Sequence, residues 1–200
     1  PFLDGNGRIG RLLITLFLLA HDVYPSFFVA LRHAAFSVVS VATTTGFATV
    51  DYAQWPIFAP VLMLFLCSFA TCAGSTGGGI KLIRSVLLLK QARRELTRIV
   101  HPRAVVPVTL GGSIVSNQVL FSVLAFMLIY GSVMVVATML LLFSGLDLVS
   151  AFTAVIACIN NTGPGLGQVG PAGNFQGLSD FQTWVCSITM LLGRLELFSI

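Results

Sequence analysis

Two short stretches carry the residues whose types and spacing could do chemistry. Thr43-Thr44-Thr45-Gly46-Phe47 closes one run of small and apolar residues, and Asn160-Asn161-Thr162-Gly163-Pro164 closes another. Moving Gly46 onto Gly163 is a shift of 117 positions, and it lays three threonines over Asn-Asn-Thr. Each apolar run holds about ten to thirteen residues, short of the roughly 20 that a helix needs to cross a bilayer. A helix stopping at that depth aims its partly negative C-terminal end at the loop, which favours a cation. Glycine beyond the helix admits positive φ, so successive main-chain carbonyls can turn toward one axis. Such oxygens can replace the water shell of a weakly hydrated monovalent ion. Neither motif contains a carboxylate, and a divalent ion such as Mg²⁺ gives up its water too reluctantly for neutral oxygens alone. The plainer alternative is that both loops are ordinary turns between helices.

The elements that must position these loops are apolar throughout. The chain is 56% hydrophobic and 9% charged, against roughly a quarter charged in ordinary globular domains. Its expected fold class is therefore an all-α polytopic membrane protein. Val119–Phe143 is uncharged and long enough to span. Trp55–Cys72 is long enough to cross most of a hydrocarbon core, and Phe181–Ile200 begins like a further span with Arg194 and Glu196 inside it. Together these segments read as an internal repeat of span, short pore helix, polar glycine loop and span. Residues 1–22 hold a remnant of a transmembrane helix, 23–100 one repeat and 101–200 the next.

Seven of the eleven basic residues (Lys81, Arg84, Lys90, Arg93, Arg94, Arg98 and Arg103) fall between positions 81 and 103. In a soluble chain that run would suggest nucleic acid. Between apolar segments it reads instead as a cytoplasmic amphipathic helix, basic on one face and Leu/Ile/Val on another. No nucleic-acid partner is expected; the expected surroundings are the lipid bilayer. Cys67, Cys72, Cys158 and Cys186 lie in or beside apolar runs without CxxC spacing, and read as small buried hydrophobes. Arg32 and His33 read as the interfacial start of the first short helix, while His21 and His101 have no partner at ligand spacing. No cofactor is expected on the chain.

Between the two repeats' loops lies "AGSTGGGIK". Gly74, Ser75, Thr76, Gly77, Gly78 and Gly79 hold a helix poorly, so they suit a mobile segment of low local stability. The spacing G-x-x-x-x-G-I-K misses the phosphate-binding G-x-x-x-x-G-K-[ST] pattern, and no strand precedes it. Arg194 would lie about 18 Å down a helix starting near Gln182. An arginine at membrane depth usually faces a cavity or a partner, and there it could act as an electrostatic barrier to cations. The alternative is an arginine reaching toward the membrane edge.

"FSVVSVATTTGFATVDYAQWPIFAPVLM", "CAGSTGGGIKLIRSVLLLKQARRELTRIVHP", "INNTGPGLG" and "MLLGRLELF" resemble, in order from about residue 23 to 200, the C-terminal half of Trk-type bacterial potassium uptake proteins. These belong to the Trk/Ktr/HKT superfamily, with four membrane–pore–membrane repeats around one pore. The resemblance implies that this chain supplies the third and fourth repeats and needs the N-terminal ones. Thr44, Thr45, Gly46 and Phe47, with Asn161, Thr162, Gly163 and Pro164, would then line a potassium selectivity filter through their carbonyls. Gly74–Gly79 would be the intramembrane gate, which Arg194 could brace when closed. The resemblance further implies a homodimer in the bacterial inner membrane, with a peripheral nucleotide-binding regulatory subunit on the cytoplasmic face.

The opening "PFLDGNGRIGR" resembles something unrelated, the active-site motif of Fic-family nucleotidyltransferases. There Gly5, Asn6 and Gly7 would offer a nest to phosphates, Arg8 and Arg11 would bind them, and Asp4 would hold a metal. The motif's histidine would precede Pro1, and eleven to twenty residues cannot build a domain. The stretch reads as a scar of a chimeric reading frame joined between Arg11 and Tyr24. The alternative is an AMP-transferase fused to a membrane anchor.

Overall fold

The computed structural model describes residues 27–71 and 78–195. Its helices are α1 (Phe27–Ala42), α2 (Phe58–Phe69), α3 (Leu82–Val100), α4 (Asn117–Phe143), α5 (Leu148–Ile159) and α6 (Asp180–Arg194). The opening motif, Gly74–Gly77, Cys72 and Glu196 lie outside the described residues.

Helix α4 is the long one. Its 27 residues give about 40 Å at 1.5 Å per residue, enough to cross a bilayer by length and composition. Apolar side chains occupy every face. Its buried positions, Leu120, Val123, Phe126, Tyr130, Ala137 and Leu141, recur at helical spacing and pack toward α3, α5 and α6. Phe121, Leu128, Val135 and Met139 face outward and remain exposed, as on a helix whose other solvent is lipid.

Helices α1 and α5 are the short apolar pair expected from the repeat, and the shift of 117 positions relates their packing. Ala34, Ser37, Val38, Ser40 and Val41 are buried on α1; Ala151, Ala154, Val155, Ala157 and Cys158 are buried on α5. These are the same positions under the shift. Small side chains let neighbouring backbones come close, so α1 lies on α2 through Ala30, Ala34 and Ala59, with Tyr52 and Trp55 closing the end of the cluster. Helix α5 sits between α4 and α6 around Leu141, Ala151, Val155 and Val185. Cys67, Cys158 and Cys186 are buried and free, as expected of apolar packing residues.

Two expectations need correction. Helix α1 has 16 residues, longer than its apolar pattern implies, so Arg32 and His33 fall in its second turn instead of at its start. Helix α2 has only 12, because a 3-10 turn over Tyr52–Gln54 and an extended Trp55 precede Pro56, and the chain leaves the helix at Ala70. Beyond α2, Ile80 and Leu82 donate N–H bonds to the carbonyls of Ser68 (2.9 Å) and Thr71 (2.9 Å), so the returning chain folds back on its end.

Helix α3 is amphipathic as expected, with Arg93 and Arg98 exposed, but three other basic residues on the same face turn toward the protein. Arg84 stacks on the Phe126 ring at 4.0 Å. Lys90 donates to the Thr109 carbonyl at 2.6 Å, and Arg94 to Asn117 Oδ1 at 3.1 Å. All three turn toward α4 and its leading segment, while Leu82, Leu89, Leu96 and Ile99 are exposed. Guanidinium groups pack well on aromatic faces while their heads find acceptors, and this turns Arg84 and Arg94 inward. The leading segment also holds an unforeseen hairpin, Thr109–Leu110 paired with Ser113–Ile114. Gly111 and Gly112 take φ of 57° and 87° at its tip, the pair of positive values a tight hairpin turn needs.

Helix α6 starts with a reciprocal cap. Ser179 Oγ accepts from the Gln182 N–H at 3.4 Å, and Gln182 Oε1 accepts from the Ser179 N–H at 2.9 Å. Gln182 Nε2 also donates to Ser144 Oγ at 2.9 Å, tying the start of α6 to the end of α4. Ser179→Ala should cost about 1 kcal/mol, lowering the thermal midpoint by about 2–4 °C in detergent, followed by circular dichroism at 222 nm. Gln182→Ala, which also removes the tie to α4, should cost more; equal midpoints for the two variants would refute that tie.

Candidate functional site

Three main-chain bonds that end the first short helix recur at the end of the second. At the end of α1, the N–H groups of Thr43, Thr44 and Thr45 reach the carbonyls of Val39 (3.0 Å), Val41 (3.0 Å) and Ser40 (2.8 Å). At the end of α5, those of Asn160, Asn161 and Thr162 reach Ile156 (3.1 Å), Cys158 (3.0 Å) and Ala157 (2.9 Å). Both patterns are the helix-terminating motif in which one left-handed residue turns the chain and the next N–H reaches back five positions. The left-handed residues are Thr44 at φ 55° and Asn161 at φ 54°. Asparagine adopts this conformation more readily than most residues; a β-branched threonine there is an outlier, of the kind that gathers at functional sites.

Two residues later each chain reaches its glycine, Gly46 at φ 81° and Gly163 at φ 113°. Their surroundings differ. A Cβ on Gly46 would run into the Thr162 carbonyl and lie 3.2 Å from the Pro164 ring, whereas a Cβ on Gly163 would meet nothing within 4 Å. Gly46 is therefore where the two loops touch, and Gly163 faces open space. Thr162 is buried, while Thr45 and Phe47 are exposed. The Phe47 carbonyl accepts from Ser40 Oγ at 2.7 Å. The position matching Ser40 in the second copy is Ala157, so the two loops are not equivalent in detail.

The second loop is held from below and behind. Asn161 Nδ2 donates to the Met190 carbonyl of α6 at 3.2 Å. Thr153 Oγ1 accepts from the Leu166 N–H at 2.9 Å, clasping the outgoing chain to α5. Gly193 lies so close to the end of α5 that a Cβ there would strike the Ile159 carbonyl. Arg194 follows it as the last residue of α6 and is exposed.

Of the intervening glycine segment, Gly78 and Gly79 are described, and both press on the second loop. A Cβ on Gly78 would lie 2.6 Å from the Asn160 carbonyl oxygen. Gly79 has φ 91°, and a Cβ there would lie 2.8 Å from Asn160 Oδ1. Two residues of this region escaped the sequence reading. Lys81, counted there with the basic run, is buried and has φ 62°; only its place two residues after Gly77-Gly78-Gly79 set it apart. Asn160 was aligned with Thr43 as one of a polar pair, yet it is fully buried while Thr43 is exposed.

Asp147 N-caps α5, accepting from the Ser150 N–H at 3.0 Å, and that bond holds its carboxyl below the usual carboxylate range. An anion at a helix N-terminus also complements the dipole. The arrangement as a whole is two helix C-termini brought side by side, each followed by a run of main-chain carbonyls with no carboxylate in either loop.

The model of the TrkH family, cation transport protein, matches residues 25–200. The Trk system potassium uptake protein TrkH of Vibrio parahaemolyticus is 47% identical over 189 residues, 94% of this chain and 39% of its own length. Its Escherichia coli K12 counterpart is 45% identical over 188 residues, covering 94% and 38%. The crystal structure of the potassium transporter TrkH from V. parahaemolyticus superposes with a TM-score of 0.84 at 47% identity, over 94% of this chain and 40% of that one. The chain thus spans about two fifths of these relatives. They are transport proteins and not enzymes, and the nucleotidyltransferase alternative raised by residues 1–11, which the family match does not reach, gains no support. The chain belongs to the TrkH family of cation transport proteins.

Proposed function

We propose that this chain forms the third and fourth membrane–pore–membrane repeats of a potassium uptake protein. The observation that carries the reading is the paired helix ending: the same three bonds, the same left-handed residue at Thr44 and Asn161, and a positive-φ glycine two residues on. The bonded turn saturates the last carbonyls of the helix. The carbonyls that follow, from Thr44 to Phe47 and from Asn161 to Pro164, are the ligands that replace the water shell of K⁺. In this reading α1 and α5 are re-entrant pore helices whose C-terminal dipoles add a favourable field for a cation. Asn161 and Thr44 fix the turn through their backbone and do not touch the ion with their side chains.

Two repeats cannot surround a pore, and the relatives, of which this chain covers about two fifths, supply the further length in which two more repeats would lie. Gly74–Gly79 acts as the gate below the filter, and the Arg194 guanidinium at the end of α6 as the charge that bars cations while the gate is closed. Residues 23–100 and 101–200 are the two repeats. The protein works as a homodimer in the bacterial inner membrane. The segment 81–103 is cytoplasmic, where a nucleotide-binding regulatory subunit would dock. K⁺ is cargo, and no cofactor is required on this chain.

The test places residues 25–200 in a full-length relative in place of its own segment, in a strain lacking other potassium uptake systems. Growth at micromolar K⁺ is expected. Gly163→Ala should hold its fold, since nothing lies within 4 Å of the new methyl. Its strained φ costs about 1–3 kcal/mol at the carbonyls themselves, so K⁺/Na⁺ discrimination should fall by about tenfold or more. Gly46→Ala adds a collision with the Thr162 carbonyl and should lose uptake altogether. Unchanged discrimination in the Gly163→Ala protein would overturn the filter assignment. For topology, Arg103→Cys should react with an impermeant maleimide only from the cytoplasmic side, scored in inside-out against right-side-out vesicles.

A further inference from the structure

Four elements meet at one carboxamide. Asn160, the residue that ends α5, is fully buried. Its Nδ2 donates to Ser68 Oγ at 3.0 Å and lies 3.5 Å from Cys67 Sγ, both in the last turn of α2. Its Oδ1 accepts from the Tyr130 hydroxyl of α4 at 3.0 Å. Gly79 is packed against the same Oδ1 and against the Ser68 carbonyl, with a Cβ position 2.8 Å from each. The returning chain is pinned beside it: Thr71 Oγ1 donates to the Gly78 carbonyl at 3.1 Å, and the Ile80 N–H to the Ser68 carbonyl at 2.9 Å. Asn160 is followed directly by the left-handed Asn161.

Nothing in the helix-ending motif calls for this asparagine. Its counterpart, Thr43, forms the same main-chain bond from an exposed site, and its hydroxyl bonds only to Val39 O at 2.7 Å, Ser40 O at 3.4 Å and Thr45 Oγ1 at 2.8 Å, all within its own turn. Among the described residues, the second loop has a side chain against the end of the glycine segment, Asn160 Oδ1 beside Gly79.

We propose that Asn160 is a positioning residue that couples the glycine segment to the second carbonyl loop, so that movement at Gly78–Gly79 alters the ion-selecting turn at Asn161–Gly163. The inference rests on the filter and gate reading given above. A buried carboxamide cannot lose its partners without leaving polar groups unsatisfied. Gly78 lies against the Asn160 carbonyl and Gly79 against its Oδ1, so movement of that segment changes the packing that holds Asn160 between Ser68 and Tyr130. Its main chain, one peptide from the left-handed turn, responds to that change. Opening and selection are then two readings of one equilibrium, linked by a coupling that acts equally in both directions.

The experiment uses the full-length protein carrying residues 25–200, reconstituted in planar bilayers, with K⁺/Na⁺ permeability ratio and open fraction both recorded. Asn160→Ala removes the hub. Tyr130→Phe keeps the ring and its packing and removes one bond. Asn160→Ala should change both properties together, each by about fivefold or more, and Tyr130→Phe should change both in the same direction by less. If either variant lowers only the yield or the thermal midpoint, with both conduction properties at the parent's values, Asn160 is structural and the proposal falls. A change confined to one property also overturns it. Should Asn160→Ala fail to fold, Tyr130→Phe decides by the same two criteria. A parent protein that conducts no K⁺ would overturn the underlying function instead, which separates the two failures.

Discussion

Everything in this chain depends on how a helix can end among apolar neighbours. The last carbonyls of any helix lack partners within it, and an unsatisfied carbonyl in a water-poor setting is costly. At Thr44 and Asn161 the chain solves this by taking a left-handed turn that sends the next N–H five residues back. The turn satisfies the helix and redirects the main chain in one step. The carbonyls released beyond it are then free to do something other than hold up the helix.

The rest of the packing follows from keeping two such endings side by side. Small residues on α1 and α5 let these helices sit tightly among α2, α4 and α6. Gly46 brings the first loop against the Thr162 carbonyl, and Gly193 lets α6 pass under the end of α5. At each of these contacts a methyl group would occupy space the other backbone already fills, so glycine is a packing requirement there as much as a conformational one. The two loops nevertheless differ. Ser40 engages the Phe47 carbonyl in the first, whereas the second is tied to α5 by Thr153 and to α6 by Asn161. Repetition supplied the turn, and divergence supplied its attachments.

Much of the fold was legible in the sequence because it rests on properties that do not depend on neighbours. An uncharged run from Val119 to Phe143 is a long helix wherever it sits. Positive φ two residues beyond a short apolar run is what Gly46 and Gly163 are suited to. The related endings of α1 and α5 could be read from the shift that superposes them. What could not be read were facts that need a partner. Arg84, Lys90 and Arg94 of α3 point inward because Phe126, Thr109 and Asn117 lie there, 19 to 42 positions away in the sequence. The 12-residue length of α2 depends on the returning chain that binds its end.

The sequence by itself determined that this is a helical, lipid-compatible chain with two related glycine loops, because hydropathy and backbone preference are local. Only the tertiary structure decided which polar residue of each loop is inside. Asn160 and Thr43 hold the same place in their turns, yet Asn160 is buried among Ser68, Cys67 and Tyr130 and Thr43 is exposed. A hydrogen-bond hub is defined by the several distant groups that converge on it, and that convergence exists only once the helices have packed.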